Sequence, residues 1–156
     1  MKDSHSVARL GVFRPPLIYL VAIAGGLALD WVWPRPMPAG APVRLLGVVL
    51  VVASVLLFGR SVQRFRAAGT PVPARKPTTA IVRTGPYRFS RNPIYLAFSM
   101  LQLGIAIWVG SWWLVATLAV ALAIIQYVVV PKEERYLEAR FGAEYRDYKA
   151  DVRRWL

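Results

Sequence analysis

Four apolar runs, Leu17–Trp33, Val43–Gly59, Ile94–Val109 and Trp112–Val130, carry only Asp30 and Arg44 as charges. Each is close to the ~17–25 residues a helix needs to cross a hydrocarbon core at ~1.5 Å per residue. The third is the shortest and is expected to begin within the interface. A water-soluble domain of 156 residues has too much surface to hide a chain that is 56% hydrophobic. The same runs exclude disorder and an ordinary nucleic-acid-binding domain. The expected fold class is an all-α integral membrane protein: one membrane domain spanning residues 1–156, with four transmembrane helices. No small-residue cleavage site follows the first run. Trp31, Trp33, Pro34, Pro36 and Pro38 instead mark an interfacial stop and a rigid turn, so this segment is expected to be retained.

The charge sorts by loop. Of 20 Lys and Arg, Lys2, Arg9 and Arg14 precede the first run, and Arg35 and Arg44 belong to the first loop, Arg44 at the very start of the second run. Eight more fall between the second and third: Arg60, Arg64, Arg66, Arg75, Lys76, Arg83, Arg88 and Arg91. None occupies the Gly110–Ser111 turn, and seven follow the fourth run. Eighteen therefore share one side, and the positive-inside rule predicts cytoplasmic termini and a cytoplasmic long loop in the plasma (inner) membrane. A net charge of +12 is thereby mostly a topology signal.

The chain has no cysteine and a single histidine, His5, in a polar tail, so neither a thiolate nucleophile nor a metal site is expected. Gln102 and Gln126 fall inside apolar runs, where an amide must find a partner: either another helix or a ligand. Asp30 is expected to be hydrated or paired with Arg35.

Two polar pieces remain. Gly69-Thr70-Pro71-Val72-Pro73 is turn-rich and extended. Thr84–Tyr95 then leads into the third helix, with Asn92 as its cap and Pro93 in its first turn. Tyr87, Arg88, Arg91 and Tyr95 surround that helix N-terminus with donors suited to a carboxylate or phosphate, or to anionic lipid. After Pro131, an amphipathic interfacial helix is expected to reach about Lys149. It places Glu133, Leu137, Phe141, Tyr145 and Tyr148 close to one face. Glu133 is a carboxylate on that apolar stripe, and Glu134 points about 100° away from it.

Read as a pattern, Gly85, Tyr87, Arg91, Asn92, Pro93 and Tyr95, an apolar hairpin, Glu133-Glu134, then Leu137, Phe141, Gly142, Tyr145 and Tyr148 resemble one superfamily. It is that of the isoprenylcysteine carboxyl methyltransferases and phospholipid methyltransferases, which are integral membrane enzymes. The resemblance covers about half the chain, from Gly69 onward, and holds in both order and spacing. It implies methyl transfer from S-adenosylmethionine, bound at the cytoplasmic face, to a lipophilic small molecule or lipid entering from the bilayer. It assigns Gly85, Tyr87, Arg88, Arg91, Asn92, Pro93, Tyr95, Gln126, Glu133, Glu134 and Tyr145 to the cofactor, with Glu133, Arg91 and Tyr95 as catalytic residues. The cofactor's carboxylate suits Arg91, Tyr95 and the helix N-terminus, while its ammonium and ribose hydroxyls suit the two glutamates.

Two positions depart from the pattern. Asn92 stands where the superfamily often has histidine. Tyr127-Val128-Val129-Val130 stands where prenylcysteine-methylating members carry an arginine, which argues against a prenylcysteine carboxylate as acceptor. Two other readings share these features. One is an NADPH-dependent membrane reductase of the sterol reductase type; the other is a non-catalytic lipid-binding membrane protein.

Overall fold

The computed structural model describes residues 15–70 and 78–156. Lys2, His5, Arg9, Arg14, Arg75, Lys76 and the Pro71–Pro73 stretch lie outside the described residues. Among the described residues, six α-helices follow one another: α1 Pro15–Val32, α2 Ala41–Ala67, α3 Pro93–Val109, α4 Trp112–Ile124, α5 Val130–Phe141 and α6 Ala143–Asp151. A 3-10 turn at Gly85–Arg88 precedes α3, and a π turn at Ile125–Val129 joins α4 to α5. No strand occurs among the described residues; Pro36 and Ser111 form a single antiparallel bridge. Among the described residues, three helical stretches are long and apolar enough to cross a membrane, Pro15–Val32, Ala41–Ala67 and Trp112–Phe141, and α3 is a shorter apolar helix.

Two expected boundaries move. The second helix does not stop at Gly59 but runs eight residues further, to Ala67. Arginine is a good helix former, and Ser61 and Phe65 extend the buried face, so Arg60, Arg64 and Arg66 belong to the helix and not to a loop. The fourth helix does not stop at Val130, and the C-terminal piece is not one separate helix. Proline has no N–H, and its ring presses on the carbonyl four residues earlier. Here the wide turn absorbs Pro131: the Val130 N–H bonds Ile125 C=O, and the helix continues unbroken to Phe141. The interruption falls instead at Gly142, where φ is 53°. That left-handed conformation suits glycine.

Helix α2 packs on α3, α3 on α4, and α4 on α1, while α1 and α2 make few contacts with each other. Small residues set the spacing. Gly47, Ser54 and Ser61 recur every seven residues on the buried side of α2. Both serine hydroxyls bond back to their own helix, to Val51 C=O and Leu57 C=O at 2.7 Å, so they cost nothing at an apolar contact. Gly47 meets Gly104 of α3 backbone to backbone, as small residues do where apolar helices approach closely. Gly26 likewise lets α1 come close to α4, where the Leu114 and Thr117 side chains fill the space a Cβ would need. Gln102 is fully buried and donates to Leu114 C=O and Thr117 Oγ1, both at 3.2 Å; it ties α3 to α4.

The far end is closed by the loop after α1. Trp112 N–H donates to Arg35 C=O, and Met37 N–H to Gly110 C=O. Asp30 Oδ1 accepts from Ser111 Oγ at 2.8 Å and from the Arg35 backbone N–H at 3.4 Å. Its partner is thus the main chain of Arg35, whose guanidinium lies 4.7 Å over the Trp33 ring. Ser111→Ala should lower thermal stability in detergent by about 1.5–3 kcal/mol, the worth of a hydrogen bond to a charged group, without affecting the opposite end of the bundle.

Candidate active site

The other end is built from separated segments: the Gly85–Tyr95 stretch, α5, α6 and the residues that follow α6. The 3-10 turn needs Gly85 because its φ is 63° and a Cβ there would lie 2.8 Å from Arg64 Nε, on the extended part of α2. Tyr87 is buried beneath this turn with its ring edge-on to Phe65 at 5.1 Å. From α6, Tyr148 donates its phenol to Tyr87 C=O at 2.8 Å. Burial pushes the Tyr148 phenol up from its ordinary pKa, so it stays a neutral donor. The Tyr145 phenol is pushed up for the same first reason, with Glu134 adding to it. Arg83 reaches the Glu144 carbonyl and places its guanidinium 5.5 Å over the Tyr148 ring.

The two glutamates of α5 are held by different partners. Tyr95, in the first turn of α3, donates to Glu133 Oε1 at 2.5 Å. Tyr95 is in turn placed by α1: Tyr19 is buried, donates to Tyr95 C=O at 3.3 Å and shares a 2.8 Å hydrogen bond with Ser99. Glu134 pairs with Arg91 at 3.0 Å, and that pair is largely buried, its side chains 10% and 11% exposed. Arg154 grips the same carboxylate with two bonds, Nη2 to Oε2 at 2.7 Å and Nε to Oε1 at 3.0 Å. Such a forked pair fixes direction as well as distance. Arg91 also reaches Tyr145 Oη at 3.4 Å, and its Nε is buried with no hydrogen-bond partner.

These groups surround a cavity of about 200 Å³. Its polar side carries Tyr87, Arg91, Asn92, Pro93, Tyr95, Glu133, Glu134 and Tyr145, all of them expected from the sequence, and Tyr148. Its apolar side is Pro15, Pro16, Phe58, Phe65, Phe98 and Leu137, contributed mostly by α1, α2 and α3. Three expected residues lie elsewhere. Gly85 shapes the turn behind the wall, and Arg88 is exposed. Gln126 sits on the π turn outside the cavity lining, its Oε1 accepting from Trp155 Nε1 at 2.8 Å. Asn92 stands at the start of α3 without capping it; its side chain donates to Arg154 C=O at 3.0 Å.

Sequence reasoning missed Arg154 and Trp155, which follow α6 and fold back along the Ser90–Asn92 loop. The signal available was an arginine and a tryptophan side by side beyond the last amphipathic stretch. Nothing in their spacing names Glu134 or Gln126 as partners.

The motifs led to the expectation that the Arg91–Tyr95 segment and the Glu133–Glu134 pair share one site, and both line this cavity. A sequence profile of the phospholipid methyltransferase family matches residues 43–144, from the first turn of α2 to the start of α6. The chain belongs to the phospholipid methyltransferase family. Membership carries membrane methyltransferase chemistry as the family's activity, and the all-helical apolar bundle agrees with it. An uncharacterized protein of Haemophilus influenzae is 36% identical over 63 residues, which is 40% of this chain and all of that protein. The cobalt-zinc-cadmium resistance protein CzcN of Cupriavidus metallidurans is 28% identical over 142 residues, 90% of this chain. This chain spans 59% of that relative's length. No solved structure matches. Among the described residues, no three His, Cys, Asp or Glu side chains gather as they would around a metal ion.

Proposed function

We propose that this phospholipid methyltransferase family member transfers a methyl group from S-adenosylmethionine to a lipophilic acceptor at the cytoplasmic face of the plasma (inner) membrane. The observation that carries this reading is the cavity itself, with an ionic, hydrogen-bonding side built from α3, α5 and α6 and an aromatic side facing α1 and α2. The residues fit the cofactor. Arg91 has a buried donor without a partner, a match for a carboxylate. Glu133 has one oxygen engaged by Tyr95, leaving the second to accept from hydroxyl or ammonium groups. Glu134 is committed to two arginines, so its part is to hold Arg91 in place. When bound, the cofactor supplies an electrophilic methyl on a sulfonium centre.

What the chain contributes is position and dryness. Holding donor and acceptor in register is the main requirement of a direct displacement. The aromatic and apolar lining excludes water from that line. The acceptor's apolar part enters between α1 and α2, which pack on their neighbours more than on each other. An acceptor amine or thiol must lose a proton, and Glu133, oriented by Tyr95, is the base within the cavity. Four crossings, α3 among them, with both termini cytoplasmic put the eighteen cations on the same side as the cavity.

Calorimetry of the purified protein in detergent tests the reading. S-adenosylhomocysteine should bind at one site and NADPH should not compete for it; no binding sinks the proposal. Tyr95→Phe frees Glu133 from its hydrogen bond at a stability cost of about 1.5–3 kcal/mol. Methyl transfer in that variant should fall by roughly ten- to a hundredfold, at or below the ~10²–10⁴-fold worth of an acid–base group, because Glu133 stays in the cavity and loses only its orienting hydrogen bond. A radiolabel assay on native membranes, with the product identified by mass, measures it.

A further inference from the structure

Residues 152–156, beyond the family-matched span, strap the cavity's loop to its acidic helix. The Arg91 N–H donates to Arg153 C=O at 3.0 Å. Ser90 Oγ and Asn92 Nδ2 both donate to Arg154 C=O, at 3.2 and 3.0 Å. The Arg154 side chain then crosses to α5 and takes both oxygens of Glu134, while Trp155 is pinned to Gln126 on the π turn. The three residues ahead of α3 thus take their placement from this segment, and Glu134 receives both guanidinium groups at once.

We infer that Arg154 is a positioning residue for the cofactor site: through Glu134 it fixes the Arg91 guanidinium in the cavity wall. Glu134 pairs with Arg91 through one oxygen only. A carboxylate held at a single contact can rotate about its last torsion and carry Arg91 with it. The planar fork of Arg154 engages both oxygens and removes that freedom. The main chain of the same segment holds Ser90, Arg91 and Asn92, so side chain and backbone of Arg91 are referenced to one element. Arg154 does not itself line the cavity; it bonds two residues that do, Glu134 and Asn92, so its influence is expected on ligand affinity and not on the transfer step. The inference rests on the proposed use of S-adenosylmethionine.

The experiment measures S-adenosylhomocysteine affinity by calorimetry and melting temperature on the purified full chain, unaltered and as Arg154→Ala and Arg154→Lys. Arg154→Ala should bind at least tenfold more weakly. Arg154→Lys, which keeps the charge but not the fork, should fall between. In steady-state assays the KM for S-adenosylmethionine should rise with kcat nearly unchanged. In a Glu134→Gln background, Arg154→Ala should weaken binding no further, because both act through one carboxylate. A lower melting temperature with unchanged affinity, or two effects that add, overturns the inference. Should Arg154→Ala fail to fold, the lysine variant decides: affinity equal to the unaltered chain overturns it. No binding by the unaltered chain overturns the methyltransferase reading and this inference together. Binding by the unaltered chain and by Arg154→Ala alike overturns this inference alone.

Discussion

Glu134→Ala should be the most damaging single substitution at the cavity, lowering stability by about 3–5 kcal/mol, the range for removing one member of a buried ion pair. Arg91 and Arg154 both point at this carboxylate, and its side chain is only 11% exposed. Without it, two guanidinium groups face each other across a site too closed for water to screen them fully. The loss should therefore exceed that of an exposed ion pair such as Lys149–Glu138, which spans 3.7 Å at the surface and contributes little. Glu134→Gln keeps acceptor capacity toward one arginine and should recover part of the loss. Thermal unfolding in detergent, with calorimetric binding of S-adenosylhomocysteine alongside, checks both. An alanine variant as stable as the unaltered chain would show that the arginines find other partners.

Gly104→Val should destabilise the bundle by about 3 kcal/mol, the upper part of the range for overpacking. A Cβ at Gly104 would sit 2.7 Å from Gly47 C=O and 3.0 Å from the Val51 nitrogen, and backbone atoms cannot swing aside. Helices α2 and α3 must then separate along the seam where they pack. Because α3 carries Tyr95 in its first turn and α2 carries Phe58 and Phe65, ligand affinity should fall with stability. Gly25→Ala is the matched control. That glycine has nothing within 4 Å, so alanine should be neutral or stabilise α1 by up to about 1 kcal/mol through helix propensity. Melting temperatures of the two variants should differ by about 6–16 °C, with Gly104→Val the lower. Equal melting temperatures would mean that the seam is not tightly packed.

The helices were legible because apolar length is a one-dimensional quantity. The start of α3 at Pro93 and its stop at Gly110 followed from the residues alone, since proline fits a first turn and glycine takes the left-handed cap. The end of α2 was not legible, because the switch from apolar to basic residues at Arg60 marks a change of solvent and not an end of helix. The passage through Pro131 was hidden for a related reason. Proline ordinarily ends a helix, and only a π turn shaped to receive it lets the helix continue.

The site divides in the same way. Arg91, Tyr95, Glu133 and Glu134 stood out because charged and phenolic groups at a membrane mouth must be satisfied, and their order matched a family pattern. Which partner satisfies which group could not be read. Gln126 looked available as a ligand contact but belongs to Trp155, 29 residues away, and Asn92 looked like a cap but belongs to Arg154. By itself the sequence determined that this is an apolar helical chain with a basic face and a methyltransferase-like motif, since composition and local pattern suffice for that. Only the tertiary structure decided that Glu134 answers to two arginines while Glu133 answers to Tyr95. Hydrogen bonds reach about 3 Å, and which atoms come that close depends on how the helices pack, not on how far apart they lie along the chain.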